Sequence, residues 1–296
     1  MPCRPTGLLL TVLVGSAVLA ACREEPAWRA AGWRPAAPPQ RIVAASVFAT
    51  EVLLAITPRE RIAGVHRFAA DPEYSLVVTE AAGLTLLGAE PEQLLAARPD
   101  LVVCDPFTRP ETVALLGGAG VPVVTTANAA SFDDVAANVR QVGSLCHLEG
   151  PAAALAAAMQ KRLAEIAAKR QEVAGWRVMC IDGALNTHGR PSLFDALVTA
   201  AGASNLAGER GVSSYRRLDV ETLLAWRPDA LVVAEDEDGT GAAPAWLQQY
   251  PGVELLPCVR GNRIVRIPAR LLGTTSHHLV EAAARLQQQL RKWGRP

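Results

Sequence analysis

From residue 41 onward the chain alternates two kinds of segment. Short apolar, β-rich runs, RIVAAS (41–46), RIAGVHR (61–67), LTLLG (84–88), DLVVCD (100–105) and VPVVTT (121–126), are separated by stretches with helical spacing: ATEVLLAI, EPEQLLAAR and RPETVALLGGAG. Strand, helix, strand is the rhythm of a parallel sheet. DLVV and VPVV carry no polar alternation, so they read as strands covered on both faces.

From Ser131 the spacing turns helical, with Asp134 three residues on in the place of a capping-box acid. A helix of about 22 residues is predicted within 151–175, with Pro151 at its start and Gly175 at its end. The α/β rhythm then restarts with WRVMCID, the helix SLFDALVTAAG, a helix carrying DVETLLAWR, the strand ALVVAED, a helix near PAWLQQY, the strand NRIVRIP and a last helix from about Ser276 to Trp293. One phrase occurs twice. PEQLLAARPDLVV returns as VETLLAWRPDALVV, so that Glu92, Pro99 and Asp100 recur 129 positions later as Glu221, Pro228 and Asp229. Each copy is a helix stopped before Pro, with Asp leading into a buried strand. A period this long exceeds that of a solenoid and indicates a duplicated lobe. The expected organisation is an N-terminal α/β lobe over 41–150, a connecting helix over 151–175 and a C-terminal α/β lobe over 176–296.

The first residues are different. A short basic start at Arg4, the apolar run LLLTVLVGSAVLAA and the immediately following Cys22 predict a signal peptide over 1–21. LAAC resembles the lipobox of bacterial lipoproteins, which implies a lipid on Cys22 and a Pro- and Ala-rich tether over 22–40. The chain is then expected to be exported and anchored to a bacterial membrane, facing the periplasm or the cell exterior.

Charge and cysteine content narrow the classes. Lys and Arg number 29 and Asp and Glu 29, with no concentrated basic tract, which argues against nucleic acid. GxSxG, HExxH, phosphate-loop and GxGxxG motifs are absent, so an exported enzyme is the less favoured alternative. Beyond Cys3 and Cys22, four cysteines remain: Cys104, Cys146, Cys180 and Cys258. Disulfides and buried thiols fit them equally well.

RIVAASVFATEVLLAI, RIAGVHRF, the doubled Glu–Arg-Pro-Asp phrase, the long central helix and the lipobox together resemble the iron-chelate and cobalamin substrate-binding proteins of ABC importers. The resemblance runs from about Arg41 to Trp293. It implies an α/β fold of two Rossmann-like lobes with parallel sheets, joined by one long rigid helix, with a ligand cleft between them. It also implies a monomer whose partners are a permease dimer with its ATPase subunits. One exposed Glu per lobe would dock on the permease, and the matching positions are Glu92 and Glu221. A carboxylate in the first turn of a helix is also favoured by the macrodipole alone.

Ligands of parallel α/β lobes sit beyond the carboxyl ends of the strands. Those ends supply Phe48, His66, Arg67, Phe107 and Arg109 from the first lobe and His188, Arg190, Arg270 and Leu271 from the second. The four arginines suit an anionic chelate, and equally suit solvated surface positions. His66 and His188 fit either metal ligands or ordinary hydrogen-bonded histidines. Tyr74 and Tyr215 are further candidate ligands of a metal complex, though packing explains them too. His277 and His278, adjacent at the start of a helix, are expected to point apart. Where the resembling cobalamin binders place tryptophans against the corrin, this chain has Leu86 and Leu271. The expected ligand is a metal complex, ranked ferric siderophore, then cobalamin, then haem, with no intrinsic cofactor or protein-bound metal. A zinc- or manganese-binding protein of related architecture is the alternative.

Overall fold

The computed structural model describes residues 33–235 and 244–294. The expected signal peptide, Cys22 and the tether up to residue 32 lie outside the described residues, as do Asp236, Glu237 and Asp238 of the acidic run EDED. Among the described residues no helix is long and apolar enough to cross a membrane.

In the first lobe the apolar runs become β1 (Ile42–Ala44), β2 (Ile62–His66), β3 (Leu86–Leu87), β4 (Leu101–Cys104) and β5 (Val123–Thr125). They form one wholly parallel sheet in the order β3-β2-β1-β4-β5. Helices α1 (Val47–Ile56), α2 (Val78–Ala81), α3 (Pro91–Ala96) and α4 (Pro110–Gly118) make the crossovers. Successive strand residues face opposite ways. Ile42, Ala44, Leu101 and Val103 pack with α1, while Val43, Val102 and Cys104 pack with Leu94 of α3 and Leu116 of α4. The unbroken apolar runs are thereby explained, because both faces are covered.

Ser131 caps α5 (Phe132–Leu145), accepting from the Asp134 amide at 3.1 Å. The Asp134 carboxylate reaches back to the amide of Ala130 and the hydroxyl of Ser131, and these bonds hold its pKa below the ordinary value. The long helix α6 spans Glu149–Ala167, starting two residues earlier than expected and stopping before a 3-10 turn at Arg170–Val173. Its 19 residues reach about 28 Å. It does not cross alone. Val139, Val142 and Leu145 of α5 and Ala152 of α6 belong to the first lobe's core, whereas Phe132, Val135 and Ala136 of α5 and Ala156, Met159 and Ile166 of α6 belong to the second's. Two packed helices therefore span the lobes, and a pair resists bending better than one.

The second lobe contains β6 (Arg177–Cys180), β7 (Asn186–His188), α7 (Leu193–Ala201), β8 (Ser204–Asn205), α8 (Leu206–Glu209), β9 (Tyr215–Arg217), α9 (Val220–Trp226), β10 (Ala230–Ala234), α10 (Pro257–Arg260), β11 (Ile264–Ile267), α11 (Ala269–Leu272) and α12 (Leu279–Trp293). Its parallel sheet runs β11-β10-β6-β8, and β7 and β9 form a separate antiparallel ribbon. The helix expected near PAWLQQY is a 3-10 turn, Leu247–Gln249. Helix α12 returns to the spine, where the buried Gln287 amide donates to the terminal carbonyls of Ile166 and Ala201 at 2.7 and 2.9 Å. It satisfies two helix ends at once.

The doubled phrase has one structural job, done twice. The Asp100 amide bonds to the Arg41 carbonyl at 3.0 Å, and the Asp100 carboxylate accepts the Arg41 amide at 2.9 Å. Asp229 repeats both bonds with Arg177, at 2.9 and 3.0 Å. Each Asp thus stitches the start of its own strand to the central strand of the lobe. Arg98 and Arg227 both take the left-handed conformation, at φ 48° and 50°, which turns the chain from helix toward strand.

Candidate functional site

The carboxyl ends of the strands carry the sequence-derived candidates, and local turns decide which of them reach solvent. After β4, Asp105 Oδ1 accepts the Phe107 amide at 3.0 Å and the Thr108 hydroxyl at 3.1 Å, an Asx turn that leaves Phe107 74% exposed. After β2, a 3-10 turn over Arg67–Ala70 sets Phe68 against Tyr74, stacked at 4.8 Å, with the Arg67 guanidinium 5.1 Å over the Phe68 ring. Tyr74 remains 52% and Leu86 45% exposed. The first lobe thus offers an apolar and aromatic wall.

In the second lobe the segment DGALNTH supplies β7. Asp182 Oδ1 accepts the amides of Ala184 and Asn186 at 2.8 and 2.9 Å. Burial acts to raise the Asp182 pKa, but the bonds from Asn186 and Ala184 outweigh it and hold the group below its ordinary value. The β7–β9 ribbon lies beyond the carboxyl end of β6 and holds Tyr215 edge-on to His188 at 5.2 Å, with Tyr215 55% exposed. His66 and His188 are both half-buried. Burial lowers the pKa of each; Arg67 adds to this at His66, and Asp182 opposes it at His188. Both shifts favour the neutral imidazole.

The other candidates scatter. Phe48 and Leu271 are 4% and 5% exposed and pack into the cores of their lobes, so the Leu86–Leu271 pair does not present two matching faces. Phe48 lines only a crevice of about 10 Å³ with Phe107, Asn128 and Thr275, no more than a single water occupies. The four arginines do not converge as four unengaged cations. Arg190 lies 3.5 Å from Asp195, Arg270 donates to the Pro72 carbonyl at 3.2 Å, and Arg67 sits over Phe68, while Arg109 is exposed at the start of α4. Glu92 and Glu221 are exposed in the first turns of α3 and α9.

One expectation changes and one open alternative closes. His277 and His278 precede α12 instead of opening it, and their rings lie tilted against each other with centroids 4.0 Å apart instead of diverging. The four cysteines are buried free thiols, whose pKa values burial pushes up to about 12. Among the described residues no group of three or more His, Cys, Asp or Glu is arranged to hold a metal.

Sequence reasoning missed a further group. Glu51 of α1 is fully buried, and the Thr274 hydroxyl donates to its Oε2 at 2.7 Å from across the lobes. The signal was a lone carboxylate inside the apolar run VFATEVLLAI.

Comparison with known proteins agrees with this architecture. A cobalamin-binding protein of Halobacterium salinarum is 26% identical over 257 residues, covering 84% of this chain and 68% of that protein. An uncharacterised ABC transporter substrate-binding lipoprotein of Bacillus subtilis is 20% identical over 261 residues, covering 85% of this chain and 80% of that protein. The structure of a periplasmic haem-binding protein from Pseudomonas aeruginosa superposes with a TM-score of 0.71 at 26% identity, covering 87% of this chain and 95% of that one. The family model described as periplasmic binding protein matches residues 42–271. With two parallel-sheet lobes, a helical spine and a family match over residues 42–271, the chain belongs to the periplasmic binding protein family.

Proposed function

We propose that this protein is the extracytoplasmic substrate-binding component of an ABC importer, anchored by a lipid on Cys22, and that it carries a metal tetrapyrrole in its cleft. The observation that carries the ligand class is the set of exposed apolar and aromatic side chains at the strand ends: Tyr74, Leu86 and Phe107 on one lobe and Tyr215 on the other. A flat macrocycle buries such surfaces on both of its faces. The cobalamin- and haem-binding relatives support the same class.

This order departs from the siderophore-first expectation, which rested on four arginines gathering around an anion. With Arg190 beside Asp195 and Arg270 on the Pro72 carbonyl, that argument loses half its residues. A corrinoid ranks ahead of haem, because it needs no axial ligand from the protein. Glu92 and Glu221 are the docking handles for the two permease subunits, one charge offered by each lobe. Such exposed charges set register and encounter rate more than affinity.

Absorbance titration of the chain from residue 23 with cyanocobalamin, haemin and a ferric hydroxamate tests the ligand class. Saturable binding of a tetrapyrrole is expected. Saturation by the ferric hydroxamate with no response to either macrocycle would overturn the reading.

A further inference from the structure

Helix α1 is apolar apart from Thr50 and Glu51, and Glu51 has no solvent exposure. Burying a carboxylate costs several kcal/mol unless its oxygens are bonded. Within its own lobe it finds no side-chain donor among the described residues, and its Oε1 is buried with no hydrogen-bond partner. Its Oε2 receives the hydroxyl of Thr274, 223 residues away.

The segment that brings Thr274 there is itself unusual. After β11 the chain leaves the second lobe's sheet, forms α11 and returns to that lobe's core as α12. From α11 to the start of α12 it touches the first lobe three times. Arg270 donates to the Pro72 carbonyl, Thr274 to Glu51, and Thr275 lines the crevice with Phe48 and Phe107. Thr274 is held in turn by Ser276, with hydroxyl oxygens 3.0 Å apart and the Ser276 amide donating to Thr274 Oγ1 at 3.1 Å. Thr274 and Ser276 are both buried.

We propose that Glu51 is a positioning residue for ligand capture: through Thr274 it fixes the angle at which the two lobes face each other, and so the separation of the walls carrying Phe107 and Tyr215. The spine helices α5 and α6 join the lobes on one side, and two bodies joined on one side can still hinge at that junction. Contacts away from the spine oppose that motion, and the buried one among them is made by Thr274, which reaches the first lobe through α1 instead of the spine. A buried acid supported by one donor suits this task, because separating the lobes at this point removes the side-chain partner that Glu51 has among the described residues. The dependence of binding on this angle rests on the cleft reading above; the fixing of the angle does not.

The test uses the chain from residue 23 carrying exposed labelling sites at Glu111→Cys and Glu254→Cys, with interlobe distances measured by pulsed electron spin resonance without ligand. Thr274→Val keeps the shape and removes the donor, and Thr274→Ser keeps the hydroxyl. The expected result is a broadened, shifted distance distribution in Thr274→Val, a wild-type distribution in Thr274→Ser, and tetrapyrrole affinity about tenfold weaker in Thr274→Val alone. Far-ultraviolet circular dichroism confirms that both variants are folded. Wild-type distances in folded Thr274→Val, or equal broadening in both variants, would overturn the proposal. If no tetrapyrrole binds to the wild type, the cleft reading fails while the distance result still decides the role of Glu51.

Discussion

At the amino ends of their strands the two lobes are nearly the same object. Asp100 and Asp229 make the same pair of backbone bonds to Arg41 and Arg177, and Arg98 and Arg227 adopt the same left-handed turn. At the carboxyl ends they diverge. The first lobe shows Tyr74, Leu86 and Phe107 from three separate turns, while the second adds a two-stranded ribbon to present Tyr215. The ends that must hold a sheet together repeat, and the carboxyl ends, where the proposed ligand would sit, do not. A duplicated scaffold can keep its stitching and still build an asymmetric site for an asymmetric ligand.

The comparison can be broken from either end. The largest effect is expected from the two exposed acids that remain matched near the divergent end: Glu92→Arg with Glu221→Arg abolishes uptake in cells while ligand affinity in a titration stays at the wild-type value. Next comes the stitch itself. Asp229→Ala also strips the Arg177 guanidinium, which Asp229 holds through two further bonds of 3.0 Å each, whereas Asp100 is exposed and bonds only backbone amides. Urea unfolding is expected to show a loss of about 3 kcal/mol for Asp229→Ala and about half that for Asp100→Ala. Equal losses would mean that the guanidinium adds nothing.

Smaller effects follow at the cleft. Tyr215→Ala is expected to weaken tetrapyrrole binding about tenfold, and Leu86→Ala several-fold, because the second lobe has fewer exposed rings to share the macrocycle. The smallest effect is shared by both lobes. His66 and His188 have folded pKa values below that of the unfolded imidazole, about 6.5. The unfolded chain therefore takes up protons first on acidification. The stability each neutral ring contributes is complete above about pH 6.5 and declines as pH falls below it. His66→Asn and His188→Asn should each flatten the unfolding free energy between pH 7 and 5 by a similar small amount, measured by urea titration.

Runs such as DLVV and IVRI could be read as strands because burial on both faces leaves no polar residue to obscure them, and the doubled Arg-Pro-Asp phrase located the two lobes. The ribbon of β7 and β9 was illegible. Asn186–His188 and Tyr215–Arg217 have little β-forming pattern, and their pairing depends on Asp182 ordering a turn and on contacts between residues as far apart as Asn186 and Arg217. The partner helix of the spine was visible as a helix but not as a crossing element, since which lobe a side chain packs against is not written in its spacing. In the site, exposed Phe107 and buried Phe48 look alike as letters. The Asx turn at Asp105 and the cap at Ser46 separate them, the first turning its ring outward and the second leading directly into a helix packed on the core.

The bond between Glu51 and Thr274 also bears on how the molecule is made. A chain synthesised from its amino end completes the first lobe's strands long before residue 274 exists. Until then α1 must either keep its carboxylate in water, and so stay off its sheet, or bury it without the Thr274 hydroxyl. The newborn lobe therefore lacks the side-chain donor that its buried acid finds only in the complete chain.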